Sequence, residues 1–182
     1  MEAEVHEPDP TVVAAARRGD AAAFEELVRG CQADVWRLCL HLLRDPGLAD
    51  DATQDAFVRA FRFLPRFRGD ARFSTWLLSI ARNCAVDELR RAKRRARLLE
   101  GERAEEVRGD HGRRLEVREA LAALPLDLRE PVVLIDVLGL AYRDAAQLLE
   151  VAEGTVKSRV HRAREALAAA LSPDALPEEE VT

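Results

Sequence analysis

The chain has 182 residues, 34% of them charged and only 5% aromatic, with a formal net charge of −5. That length suits one ordinary domain or two small ones, and a composition led by Ala, Leu, Arg and Glu favours helix over a β-rich core. No apolar run approaches the roughly 18–20 residues needed to cross a bilayer, and the acidic start MEAEVHEPDP lacks the layout of a signal peptide; membrane insertion is excluded and a cytoplasmic location is expected.

Residues 1–10, with Glu2, Glu4, Glu7 and Asp9, read as an acidic tail. Asp20 is a suitable N-cap for a helix carrying Phe24, Leu27, Val28 and Cys31 on one side, continued by Val35, Leu38 and Leu42. Arg44-Asp45-Pro46-Gly47 is a turn signal. A second helix is expected from about Leu48 to Leu64, ended by Pro65. Residues 66–73 have no clean period and read as a loop. Ser74 is the expected cap of a long helix running through Trp76, Leu77, Ile80 and Leu89 to about Ala96.

Residues 98–115 are glycine-bearing, densely charged and nearly free of apolar side chains, the composition of a flexible linker that cannot bury a core. A second helical module begins near Glu116 with Leu121, Leu124, Leu128, Val132, Val133 and Leu138, and Gly139-Leu140 breaks it. A short helix from Tyr142 to Leu149, a tight turn over Glu150–Glu153 and a last helix from about Gly154 to Leu171 follow. Residues 172–182, with Asp174, Glu178, Glu179 and Glu180, form a second acidic tail. The predicted fold is all-α: two small helical modules, 11–97 and 116–171, joined by a flexible linker, the second a helix-turn-helix.

With acid gathered at both ends, the body between them is net positive, and its cations are bunched. At about 100° per residue, Val156, Val160, Ala163 and Leu167 form one narrow apolar stripe on the last helix. Ser158, His161 and Glu165 lie opposite, flanked by Lys157 and Arg162, so the outer face offers donors of the kind that reach base edges in a major groove. Gly154-Thr155 leaves backbone N–H groups that suit a phosphate, and Arg159 and Arg164 sit at the sides, within reach of a DNA backbone. An amphipathic surface helix with solvated charges is the bland alternative, disfavoured by the preceding short helix, the turn and the basic outer face.

The long helix of the first module repeats the theme. Asn83, Arg90, Arg94 and Arg97 share a stripe edged by Arg82 and Lys93, opposite Leu77, Ala81, Ala85, Leu89 and Ala92. Phe67, Phe73 and Trp76 lie just upstream. Aromatics beside a cationic track suit single-stranded or extruded bases, although each of the three could equally be core.

Catalytic chemistry finds no support. Cys31, Cys39 and Cys84 lack metal-ligand spacing and read as buried free thiols. Cys39 and His41 are too few for a zinc site, and His6, His41, His111 and His161 are scattered. No phosphate-cradling glycine loop and no nucleophile–base pair is present, so no catalytic residue, metal or cofactor is expected.

Several of these segments resemble one family. Asp50-Asp51-Ala52-Thr53-Gln54-Asp55-Ala56-Phe57 is similar to the core-polymerase-binding segment of bacterial sigma factors. Phe67-Arg68-Gly69-Asp70 with Phe73-Ser74-Thr75-Trp76-Leu77 and Ile80-Ala81-Arg82-Asn83 resembles the promoter-melting region of the extracytoplasmic-function (ECF) group of the sigma-70 family. Leu124-Pro125, Arg129-Glu130, Gly139-Leu140-Ala141-Tyr142 and Gly154-Thr155-Val156-Lys157-Ser158-Arg159 resemble that group's −35-reading module. The resemblance covers residues 20–97 and 118–171.

The resemblance implies a sigma factor that binds RNA polymerase core and directs initiation at promoters with −10 and −35 elements. By position, Asp51, Gln54, Asp55, Phe57 and Val58 would face the polymerase clamp helices. Phe67, Arg68, Gly69, Asp70, Phe73 and Trp76, with Asn83, would capture a flipped −10 base of the single strand, and Arg90, Arg91 and Arg94 would hold nearby backbone. Lys157, Ser158, His161 and Arg162 would read the double-stranded −35 element, with Tyr142, Arg143, Thr155 and Arg164 near its phosphates. Members of the group are often held inactive by an anti-sigma factor. The chain departs from the family pattern at Glu150, where glycine is usual, at Ala152, where proline is frequent, and at Asp144-Ala145-Ala146 in place of Glu-Ile-Ala. A non-glycine residue in that turn costs about 1 kcal/mol if its φ is positive. The alternative reading is a free-standing helix-turn-helix regulator, which gives no reason for the Asp50–Val58 segment or the aromatic loop.

Overall fold

The computed structural model describes the backbone of residues 5–98 and 112–172 and the side chains of 5–95 and 116–172. Most of the expected linker, and residues 1–4 and 173–182 of the expected tails, lie outside the described residues.

Eight α-helices follow in order among the described residues: α1 Pro10–Arg17, α2 Ala21–Leu43, α3 Pro46–Phe63, α4 Phe73–Leu98, α5 Gly112–Ala123, α6 Leu126–Val132, α7 Tyr142–Leu149 and α8 Glu153–Ala170. Asp20 caps α2 by accepting from Ala23 N–H at 3.1 Å. The turn after it is shorter than the sequence suggests. Arg44 closes α2 in the left-handed region (φ 66°), and Asp45 at once caps α3, whose first residue is Pro46. Proline is at home there because the first helical N–H has no partner anyway. A 3-10 turn, Leu64–Arg66, carries the chain past Pro65.

The helix expected through residue 138 changes pitch. Pro131 has no N–H to give to the preceding turn, and the chain widens into a π-helical turn, Val133–Val137, in which Leu138 N–H reaches Val133 C=O at 3.0 Å. Gly139, at φ 72°, then reverses the direction. α5 begins at Gly112, inside the stretch expected to be linker.

In the first module α2, α3 and α4 pack on one another and α1 lies along α2; in the second α6, α7 and α8 pack together with α5 against α8. The modules are not separate bodies. One apolar cluster runs from Leu38, Leu42, Leu77 and Ala81 into Val133, Leu134, Leu138, Ala146, Val156 and Val160, with α7 seated on α4 and α5 and α6 against α2. Polar ties stitch the same seam. The Arg129 guanidinium donates to Ala122 C=O, Leu124 C=O and, across the seam, Leu42 C=O at 2.6, 2.8 and 3.2 Å. Arg72 faces Asp144 at 3.9 Å. Burial away from water, and then the charge of Arg44, push the pKa of Arg129 below its ordinary value.

Residues 5–9, expected to belong to a tail, differ from it: Val5 is buried in the first module and Asp9 caps α1 through Thr11 N–H at 2.7 Å. Four carboxylates in ten residues gave the acidic reading its weight; the buried valine between them decides the outcome.

Candidate nucleic-acid interface

α8 is held by its apolar stripe. Val156, Val160 and Ala163 are fully buried and Leu167 packs beside them; a valine so placed contributes on the order of 2 kcal/mol. Lys157, Ser158, His161 and Arg162 therefore stand on the exposed face. Lys157 pairs with Glu153 at 2.7 Å and lies 5.8 Å above the half-buried Tyr142 ring, and His161 lies 3.4 Å from Glu165. Arg162 has no ion-pair partner among the described residues. Ala152 offers no side-chain cap, so the first N–H groups of α8, beside half-buried Thr155, carry the positive end of the helix outward. Arg143 is exposed on α7.

Arg164 stands apart from the others. Its guanidinium grips Asp136 with both arms, Nε–Oδ2 at 3.0 Å and Nη2–Oδ1 at 2.6 Å, which raises its pKa further. A fork already closed on a carboxylate is a tie between α8 and the π-helical turn rather than a spare phosphate ligand.

Between the two last helices Glu150 holds φ 56° and ψ 41°. The turn thus demands the left-handed conformation for which the family favours glycine, and this chain meets it with an L side chain. Ala145 and Ala146 are buried on α7, which packs against α8 and α4.

In the first module Phe67 and Phe73 are core residues. They form a triad with half-buried Trp76, ring centroids 5.0 to 5.8 Å apart. Arg68, Gly69 and Asp70 form the exposed crest of the loop, with Gly69 at φ 81°. The aromatics therefore set the shape of that crest from beneath it; stacking on Phe67 or Phe73 would need them to leave the core. Asn83 is exposed and accepts from Arg82 Nη1 at 3.3 Å. Arg90, Arg91 and Arg94 project from the exposed side of α4, with Asp87 3.5 Å from Arg90 and Glu88 3.4 Å from Arg91.

A cleft separates this face from the second module, with Thr75, Trp76, Ser79, Arg82 and Asn83 on the α4 side and Gln147, Leu148, Leu149 and Glu150 on the other. Trp76 and Asn83 thus look into the end of α7.

The third surface is on α3. Asp51, Gln54, Asp55 and Val58 are exposed at helical spacing, and Phe57 is half-buried behind them. Phe61, which the sequence places only among the apolar positions of this helix, and Phe63 are 57% and 48% exposed, and the Phe61 ring edges onto Phe24 at 5.0 Å. Continuing the Gln54, Val58 period by three residues reaches Phe61 and was the available signal. Cys31, Cys39 and Cys84 are all buried and unpaired; burial pushes the thiols of Cys31 and Cys39 up to about 12. Among the described residues no cluster of three metal-binding side chains occurs, and no helix is long and apolar enough to cross a membrane.

Comparison with known proteins supplies the class. Residues 27–95 match the family model of sigma-70 region 2, and residues 114–167 match that of sigma-70 region 4. The chain belongs to the sigma-70 family of RNA polymerase sigma factors, in its ECF group. It is 41% identical over 167 residues to the probable RNA polymerase sigma-C factor of Mycobacterium bovis, covering 88% of this chain and 90% of that one. It is 34% identical over 176 residues to the ECF sigma-E factor of Escherichia coli, covering 87% and 92%. Among solved structures it resembles the sigma factor RpoE of Bartonella quintana, bound there to the anti-sigma factor NepR (TM-score 0.73, 28% identity, 83% of this chain and 98% of that one). It also resembles CnrH in complex with the cytosolic domain of CnrY (TM-score 0.70, 29% identity, 87% and 94%). Such proteins are transcription initiation factors rather than catalysts.

Proposed function

We propose that this sigma factor divides promoter recognition between α8 and the base of α4 while α3 holds the polymerase. The observation that carries this reading is the two-faced α8: Val156, Val160 and Ala163 are locked in the core, leaving Lys157, Ser158, His161 and Arg162 as an outward row of the width a major groove admits. In this reading that row reads the −35 element, and Tyr142, Arg143 and Thr155 lie near its phosphates. The crest Arg68–Asp70 with Trp76 and Asn83 captures an unstacked −10 base, and Arg90, Arg91 and Arg94 neutralise adjoining phosphates. Asp51, Gln54, Asp55 and Val58, with Phe57 behind them and Phe61 beside them, meet the clamp helices of core polymerase. Exposed apolar side chains ringed by carboxylates support this, since such a patch suits a protein partner more than DNA.

The chain acts in the cytoplasm, where the polymerase is, and a protein partner of the anti-sigma kind, as NepR is for its relative, would hold it in check. The seated α7 supports a further point: the end of α7 forms the far wall of the cleft into which Trp76 and Asn83 look, so parting the modules widens the approach of a strand to them.

The test is reconstitution. Core polymerase with the purified chain should form an open complex on promoters recovered by selection with that holoenzyme. If no selected promoter opens, the reading is overturned; if it opens with dimeric chain on palindromic sites and without core, the regulator reading replaces it.

A further inference from the structure

α4 begins at Phe73 without a cap of its own: the residue at its N-cap position is Arg72, whose side chain cannot accept a hydrogen bond. The cap comes from elsewhere in the chain. Glu7 Oε1 accepts from Phe73 N–H at 2.9 Å, and Oε2 accepts from Ser74 N–H at 3.3 Å and from the Ser74 hydroxyl. Arg72 Nε stands 3.3 Å from the same carboxylate. Three donors and a guanidinium converge on one side chain, at the helix end where N–H groups are orphaned and the dipole is positive.

The segment that delivers Glu7 is fastened on both sides of it. Val5 is buried against Cys31, Val35, Leu77 and Leu78. His6 N–H donates to the buried Asp34 carboxylate at 2.9 Å, and Asp34 is itself held by Arg37 at 3.3 Å. The exposed His6 imidazole lies across α2 at Gly30, where a Cβ would come within 2.7 Å of Nε2 and push the ring aside. Downstream, Asp9 and Pro10 turn the chain into α1.

We propose that Glu7 is a positioning residue for recognition of the −10 element: by fixing the first turn of α4 it fixes Phe73 and Trp76, and through Phe67, which packs edge-on against Phe73, the crest Arg68–Asp70. This rests on the reading of that crest as the base-capture site. Without the carboxylate the first turn of α4 frays, the triad loosens, and the crest no longer presents one geometry. The cognate base then loses its advantage over a wrong one, while contacts made by α3 and α8 are untouched.

The experiment uses holoenzyme made with the full chain and measures affinity for a single-stranded −10 oligonucleotide against the same oligonucleotide substituted base by base. Core affinity and −35 duplex affinity are measured in parallel, and folding is followed by circular dichroism. Glu7→Ala should lower the cognate-to-substituted ratio about tenfold and leave core and −35 affinities within twofold. Glu7→Gln, which keeps acceptors but not the charge, should fall between. Adding Arg72→Ser to Glu7→Ala gives the helix a neutral N-cap of its own, without setting a second carboxylate against Asp144, and should restore most of the ratio. An unchanged ratio in Glu7→Ala, or one that drops only together with core and −35 affinity, overturns the proposal and leaves Glu7 a fold stabiliser. A wild-type ratio of one at every position overturns the base-capture reading itself, and the proposal with it.

Discussion

Arg82 on α4 and Glu130 on α6 meet as a bidentate pair across the seam of the two modules, Nε–Oε1 at 2.7 Å and Nη2–Oε2 at 3.0 Å. Glu130 is almost fully buried while the Arg82 side chain is 28% exposed, and the pair raises the Arg82 pKa, chiefly through its hydrogen bonds. Glu130→Ala strands a partly buried guanidinium, which should weaken docking by about 2 kcal/mol, less than for a fully buried pair because water still reaches Arg82. Small-angle scattering of the free chain should show a larger radius of gyration, and a single-stranded −10 oligonucleotide should bind more tightly. Unchanged scattering and affinity would show that the apolar contact and the remaining ties, Arg129 to Leu42 C=O among them, hold the modules together without this pair.

Arg162 and Arg94 should separate base reading from backbone holding. Arg162→Ala should cost about 1–3 kcal/mol of discrimination between cognate and mutated −35 duplexes. Arg94→Ala should weaken holoenzyme binding uniformly and flatten its salt dependence, with −35 preference unchanged. Competition binding with a panel of duplexes at two salt concentrations reads both; a uniform loss from Arg162→Ala would make it a phosphate contact.

Glu150 holds a left-handed backbone at φ 56°. Glu150→Gly removes the clash of Cβ with the following carbonyl and should raise stability by about 1 kcal/mol, seen as a higher midpoint in thermal or urea unfolding. A lower midpoint would show that the side chain's charge near Arg82 outweighs the backbone strain.

His41 should make the fold acid-sensitive. Burial, then the charges of Arg118 on α5 and Arg37 on α2, hold its pKa below the ordinary 6.5. The unfolded chain therefore takes up this proton at a higher pH than the folded one. The His41 contribution is fully present above about pH 6.5 and is lost as pH falls through the lower folded-state value. Urea unfolding at steps from about pH 7 to about pH 5 should show falling stability, and His41→Gln should remove part of that slope.

Helices with local causes were legible in the sequence. The Asp20 cap, the bounds of α7 and the buried stripe of α8 follow from residues within a turn of each other. The outward row on α8 follows from the same period. Features with distant causes were hidden. Ser74 has the right chemistry for a cap, yet it lies inside the first turn and donates to Glu7, 67 residues away, because α4 starts at Phe73, two residues earlier than a Ser74 cap implies. Phe67 and Phe73 are equally at home under a base or in a core; only packing against Trp76 decides. Arg164 looked spare until Asp136, on a turn widened beside Pro131, came within its reach. The seam between modules leaves little periodic trace, since Val133, Leu134 and Leu138 would be apolar in either case.

The seam also fixes how the closed form responds to quantity. Its two halves belong to one polypeptide. Each module thus meets the other within one molecule, at an effective concentration that does not depend on the number of chains in the cell. Dilution does not open it and overproduction does not close it. The open fraction is set by sequence, pH and any partner that prefers one form, so a cell that wants more open chain must supply a competitor for the seam.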